Sequence, residues 1–134
     1  MKKILCPTDF SEATDGAIAY ASNLARALRC DLTLLHVDSV FDFSLAAVEA
    51  PGLSSPISVH RLKEMCREIS TASKVPCEAQ VISRASRLST VIMEEAKGYD
   101  LIVMGTDGAD DVHQSFWRSD TYNAIVKSRT PLLL

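Results

Sequence analysis

The stretch Gly105–Asp120 reads G-T-D-G-A-D-D-V-H-Q-S-F-W-R-S-D and follows the apolar run Leu101-Ile102-Val103-Met104. A buried strand feeding a glycine-bearing loop, with a helix starting at Ser119 or Asp120, brings free backbone N–H groups and the positive end of a helix dipole to one place. That is the chemistry of phosphate binding. Asp9, in Pro7-Thr8-Asp9 after the first apolar run, falls at the same edge of an α/β sheet, where ligand sites form. It reads either as a turn or helix-start aspartate or as a ligand contact.

Other reactive residue types do not assemble into a catalytic set. His36 ends an apolar run and reads as a structural histidine, while His60 and His113 have no acidic or nucleophilic companion at a telling spacing. Gly105-Thr106-Asp107-Gly108 lacks the lysine and the spacing of a Walker loop, and no Ser-His-Asp arrangement can be drawn. The chain is therefore not expected to be an enzyme. Cys6, Cys30, Cys66 and Cys77 have neither C-x-x-C spacing nor paired histidines, so they read as reduced, small apolar residues rather than metal ligands or a disulfide framework. Phe116 and Trp117 are expected over the sheet edge, and Met65 and Met104 in the core.

The elements that must position these residues follow from hydrophobic periodicity. Ile4-Leu5-Cys6 predicts a buried strand ended by Pro7. Ser11 is placed to cap a helix whose apolar face is Ala17, Ile18, Ala21, Leu24, Ala25 and Leu28. Leu32–Val37 predicts a strand covered on both faces, and Ile57 onward a helix bearing Val59, Leu62, Met65, Cys66 and Ile69. Cys77–Ile82 alternates like a half-exposed strand. Ser86 can cap a helix with Leu88, Val91, Ile92 and Ala96, and Gly98 stands where a helix-ending glycine belongs. A strand at 101–104, a last helix with Tyr122, Ile125 and Val126, and Leu132-Leu133-Leu134 complete the order β-α-β-α-β-α-β-α-β. Asp38 to Pro56 is the least regular part: the cluster from Pro51 to Pro56 reads as loop, and Phe41, Phe43, Leu45, Ala46, Ala47 and Val48 before it as a short helical turn over the domain or against a partner.

With 134 residues, the chain suits one domain spanning 1–134. A net charge of −3 and scattered basic residues give no electrostatic reason to bind nucleic acid or an anionic membrane. The apolar run after Met1-Lys2-Lys3 stops at Pro7, too short for a signal peptide or a span, so a cytoplasmic location is expected.

Four stretches in register, I-L-C-P-T-D-F-S at 4–11, L-T-L-L-H-V at 32–37, D-L-I-V-M-G-T-D-G at 100–108 and R-S-D-T-Y-N-A-I-V at 118–126, resemble the universal stress protein family. The resemblance covers essentially the whole chain. It implies an α/β fold of the Rossmann-like, adenine nucleotide alpha hydrolase-like kind: a five-stranded parallel sheet, order 3-2-1-4-5, with helices on both faces. It also implies a homodimer, or pairing with a tandem partner domain of which this chain is one half, through the C-terminal strand. ATP-binding members carry a glycine motif, G-x2-G-x9-G-S or G-T. By that match Gly105 and Gly108 are the first two glycines, Arg118 replaces the third and Ser119 follows it. Pro7, Thr8, Asp9 and the backbone of Val37 would line the nucleoside, and Ser119 and the backbone of Asp120 would meet phosphate.

An arginine at a left-handed glycine position costs about 1–2 kcal/mol. Its guanidinium is also a phosphate partner. Asp107, Asp110, Asp111 and Asp120 surround it with negative charge. These aspartates read as a solvated loop, as Mg2+ ligands beside a nucleotide, or as an ion pair with Arg118 that closes the pocket. The resulting expectation is a non-catalytic, dimerising stress-response module that binds ATP weakly or not at all and carries no cofactor. The alternative is an ATP- or AMP-binding sensor, with Mg2+. A phospho-receiver reading needs an acidic pair after the first strand, a phosphoacceptor aspartate after the third, where Val81-Ile82-Ser83-Arg84 stands instead, and a lysine after the fifth.

Overall fold

Alternation along the strands decides the layers of the molecule. In β1 (Lys3–Pro7), Ile4 and Cys6 lie on one side of the sheet and Leu5 on the other. In β2 (Asp31–Ser39), Leu32 and Leu34 join the first side and Leu35 the second. β4 (Leu101–Val103) repeats the pattern, with Leu101 and Val103 opposed to Ile102. Every one of these side chains is buried. A strand apolar on both faces needs a helix layer on each, and the structure supplies both.

The structure, a computed structural model, describes residues 2–10, 12–39, 56–84, 88–105 and 131–133. Expectations that rest on Ser11, Ser86, Asp38 to Pro56 before the second helix, or the helix after Ser119 fall outside those residues in whole or in large part. One face of the sheet is covered by α1 (Glu12–Leu28), through Ala17, Ile18, Ala21 and Ala25, and by α2 (Pro56–Ser73), through Leu62 and Cys66. The other is covered by α3 (Leu88–Ala96), through Ile92 and Ala96. Alanines on α1 let that helix approach the sheet closely.

With β3 (Cys77–Arg84) and β5 (Leu132–Leu133), the parallel sheet has the order β3-β2-β1-β4-β5. The body is β3-β2-β1-β4; β5 adds the two-residue register Ile102↔Leu132 and Val103↔Leu133. β3 is an edge strand and half-exposed, as its alternation predicts: Cys77, Ala79 and Val81 pack on the α1/α2 layer, while Gln80 donates to Glu95 Oε2 of α3 at 2.9 Å.

Two local details differ from the sequence pattern. Helical spacing puts Leu28 on the buried face of α1, but it is 45% exposed. The helix ends there in a Schellman turn, with Cys30 N–H donating to Ala25 O at 2.9 Å and Arg29 N–H to Arg26 O at 3.4 Å. Cys30, 2% exposed, enters the core in place of Leu28. The left-handed residue of that turn is Arg29 (φ 56°), and after α2 it is Lys74 (φ 55°). Gly98, after α3, does not take a left-handed φ. Its N–H donates to Glu95 O at 3.3 Å.

Candidate functional site

The strand order reverses between β1 and β4, so a crevice at the C-terminal end of the sheet is expected there. The two registers of β1 differ in length. On the β2 side, β1 pairs through Pro7↔Leu35, whereas on the β4 side pairing stops at Leu5↔Ile102. Backbone direction alternates along a strand. Thr8 N–H donates to Leu35 O on the β2 side at 2.8 Å, and Lys3 O accepts from Asp100 N–H on the β4 side at 2.9 Å. By that alternation Pro7 faces β4, where it has no N–H to donate. One lip of the crevice is then Thr8-Asp9-Phe10; the other is Met104-Gly105, immediately after β4.

The first lip is built on Thr8, 1% exposed, whose polar groups are all engaged. Besides the Leu35 bond, its carbonyl accepts from His36 Nδ1 at 2.9 Å and its Oγ1 accepts from Phe10 N–H at 3.0 Å. A carbonyl cannot donate, so His36 carries its proton on Nδ1. Thr14, in the first turns of α1 and 1% exposed, donates to Asp9 Oδ1 at 3.1 Å. Its hydroxyl hydrogen is thereby used, so in the 3.0 Å contact between the threonine hydroxyls it is Thr8 that donates. A directed chain results: Phe10 N–H to Thr8 Oγ1, Thr8 O–H to Thr14 Oγ1, and Thr14 O–H to the Asp9 carboxylate. It anchors Asp9, half-buried, at the rim.

Phe10 completes the lip in a left-handed conformation (φ 66°). Its ring lies 4.5 Å from the His36 ring, centroid to centroid, and the Arg61 Cζ of α2 stands 4.5 Å from the Phe10 centroid. A guanidinium at that distance from a ring is a cation–π contact. The strain at Phe10 is offset by the bond to Thr8 and the contacts with His36 and Arg61.

Of the residues singled out in the sequence, Pro7, Thr8 and Asp9 come together on one lip, and Gly105 stands on the other. Val37, near the end of β2, packs its side chain with the α3 layer. Gly108, Arg118, Ser119 and Asp120 lie outside the described residues. His36 is the satisfied structural histidine its position suggests. Sequence reasoning passed over Thr14, Phe10 and Arg61. Thr14 carries only a weak signal, a polar residue on the buried side of an otherwise apolar helix face; nothing in the sequence marks the other two. Among the described residues no group of three or more His, Cys, Asp or Glu could hold a metal ion, and no helix is long and apolar enough to cross a membrane.

Comparison with known proteins gives one consistent result. The family model described as "Universal stress protein family" matches residues 1–134. A universal stress protein of Helicobacter pylori is 28% identical over 123 residues, covering 88% of each chain. Among solved structures, the universal stress protein UspA from Lactobacillus plantarum superposes with a TM-score of 0.75 at 22% identity, over 98% of this chain and 95% of that one. A universal stress protein from Archaeoglobus fulgidus, solved in complex with dAMP, superposes with a TM-score of 0.66 at 14% identity, over 99% and 95%.

Proposed function

We infer that this chain, which belongs to the universal stress protein family, is a non-catalytic regulatory module whose crevice takes an adenosine monophosphate in preference to ATP. The observation that carries this reading is the hydrogen-bonded chain from Phe10 through Thr8 and Thr14 to Asp9. It sets a carboxylate at the rim of the β1/β4 crevice with its orientation fixed. Such a group suits a ribose or an exocyclic amine, both hydrogen-bond donors. The dAMP complex of the Archaeoglobus fulgidus relative supports the class of ligand.

The phosphate half of the site is where this chain departs from ATP-binding members. Arg118 stands at the third glycine position, among Asp107, Asp110, Asp111 and Asp120. A triphosphate brings more negative charge into that acidic loop than a monophosphate does, so it is disfavoured more. Turnover is not part of the reading. The Thr8 hydroxyl donates to Thr14 and the Thr14 hydroxyl to Asp9, an arrangement that spends them on holding the loop rather than on attacking a bond.

Titration calorimetry of the whole chain with AMP, cAMP and ATP, with and without Mg2+, tests this. AMP should bind at least about tenfold more tightly than ATP, a difference of about 1.4 kcal/mol. Micromolar or tighter ATP affinity would sink the reading. Arg118→Gly should raise ATP affinity; no gain would place the obstacle in the surrounding aspartates. The reading includes a homodimer through the C-terminal strand, motivated by β5 standing last in the sheet order with its outer side an edge. A monomer mass by light scattering at every concentration would remove that part alone.

A further inference from the structure

The residue after Asp9 is a strained one. Phe10 holds φ at 66°, a conformation that a bulky side chain rarely takes. Such strain persists only where the surroundings enforce it, and it gathers at ligand clamps. Three groups enforce it here. Thr8 Oγ1 accepts from Phe10 N–H at 3.0 Å, the His36 ring lies 4.5 Å from the Phe10 ring, and the Arg61 Cζ stands 4.5 Å from the same centroid. Thr8 and His36 belong to the sheet and its immediate extension; Arg61 comes from a helix. α2 joins two parallel strands, β2 and β3, so it runs back from their C-terminal ends. Helical side chains lean toward the N-terminus of their helix, which is the crevice end. Leu62 and Cys66, both buried on the sheet, fix the rotation of α2. Arg61, next to Leu62, is thereby set at the flank of the buried face, with its exposed side chain reaching Phe10. Arg67, further along the same helix, pairs with Glu64, whereas Arg61 makes no ion pair among the described residues.

We propose that Arg61 is a positioning residue for the crevice: its cation–π contact holds Phe10 in the left-handed conformation and so holds Asp9 at the rim. The link between them is a single peptide unit. A return of Phe10 to negative φ turns the Asp9–Phe10 peptide and takes Phe10 N–H away from Thr8 Oγ1. The carboxylate that accepts from Thr14 at 3.1 Å then loses its setting. Arg61 acts through Phe10 and needs no contact with the ligand. The effect on AMP rests on the functional reading above; the hold on Phe10 does not.

Amide hydrogen exchange of the native, ligand-free chain, followed by NMR, reads that hold, and calorimetry with AMP reads its consequence. In Arg61→Ala, exchange at Phe10 should quicken about two- to fivefold, the size of an exposed cation–π contact. Asp31 and Ile102, whose N–H groups are bonded to Lys2 O and Pro131 O, should keep their rates. AMP should bind more weakly by about the same factor as the change at Phe10. Arg61→Lys keeps a cation for the ring and should lie close to wild type. Arg61→Met keeps a long stem without the charge and should resemble Arg61→Ala. Unchanged exchange at Phe10, exchange that quickens equally at all three amides, or Lys and Met variants that behave alike would each overturn the proposal. Quickened exchange with undiminished AMP affinity would overturn the positioning role. A wild type that binds no AMP would remove the functional reading, and the exchange rates would still decide whether Arg61 holds Phe10.

Discussion

Where the strands begin, the molecule is fastened by exposed contacts: Asp100 Oδ2 accepts from the backbone N–H groups of Lys2 at 2.8 Å and Lys3 at 3.0 Å. The helix-ending turns there place Arg29 and Lys74 at positive φ with their side chains in solvent. Where the strands end, Thr8 and Thr14 are 1% exposed and bonded to each other, and the left-handed residue is Phe10, in contact with both His36 and Arg61. The first end uses groups that water could satisfy. The second withdraws hydroxyls from water, which is unfavourable unless each finds a partner. The difference separates a fastening from an orienting device: only at the second end does removing one atom leave another stranded.

The largest expected effect tests that distinction. Thr14→Val removes the acceptor of the Thr8 hydroxyl and the donor to Asp9, so urea denaturation should show a loss of about 1–3 kcal/mol. Calorimetry on the same variant should show weakened AMP binding. A loss of stability with unchanged affinity would reduce the hydroxyl chain to another fastening. Asp100→Asn, at the other end, should act only through pH. The two N–H bonds hold the Asp100 carboxyl below its ordinary value. A depressed carboxylate contributes stability above its unfolded value, roughly 3.9, and that contribution disappears as pH falls through the lower folded value. The wild-type and variant melting curves should therefore converge in acid and separate near neutrality, with AMP affinity equal throughout.

The smallest effects concern the left-handed residues. Arg29→Gly relieves about 1–2 kcal/mol of left-handed backbone cost, less about 0.4–1 kcal/mol for the added freedom of the unfolded chain, so the variant should be slightly more stable. Phe10→Gly relieves the same strain but forfeits both contacts, and should be less stable than wild type. If both substitutions stabilise, the contacts at Phe10 contribute nothing and the two ends are alike in this respect.

The layers were legible because strand and helix periodicities are local: Ile4 and Leu5, or Leu34 and Leu35, fall to opposite faces whatever follows in the chain. The Pro7-Thr8-Asp9 lip was legible through its position after an apolar run. Thr14 was not, because its meeting with Thr8 depends on how the turn at Phe10 folds back, and Phe10 is not a residue type that announces a positive φ. Leu28 misled because periodicity continues past the residue at which a Schellman turn diverts the chain.

The registers of β1 also set an order in time. Its partner on one side, beginning with Lys3↔Asp31, is close along the chain, while on the other side Ile4 meets Leu101. Closing the longer loop costs more entropy before any contact rewards it, and on a ribosome the later strand does not yet exist when the earlier pair can form. The half-sheet β3-β2-β1 can therefore assemble with its Thr8 lip in place, and the β1/β4 junction is among the last features of the molecule to come into being.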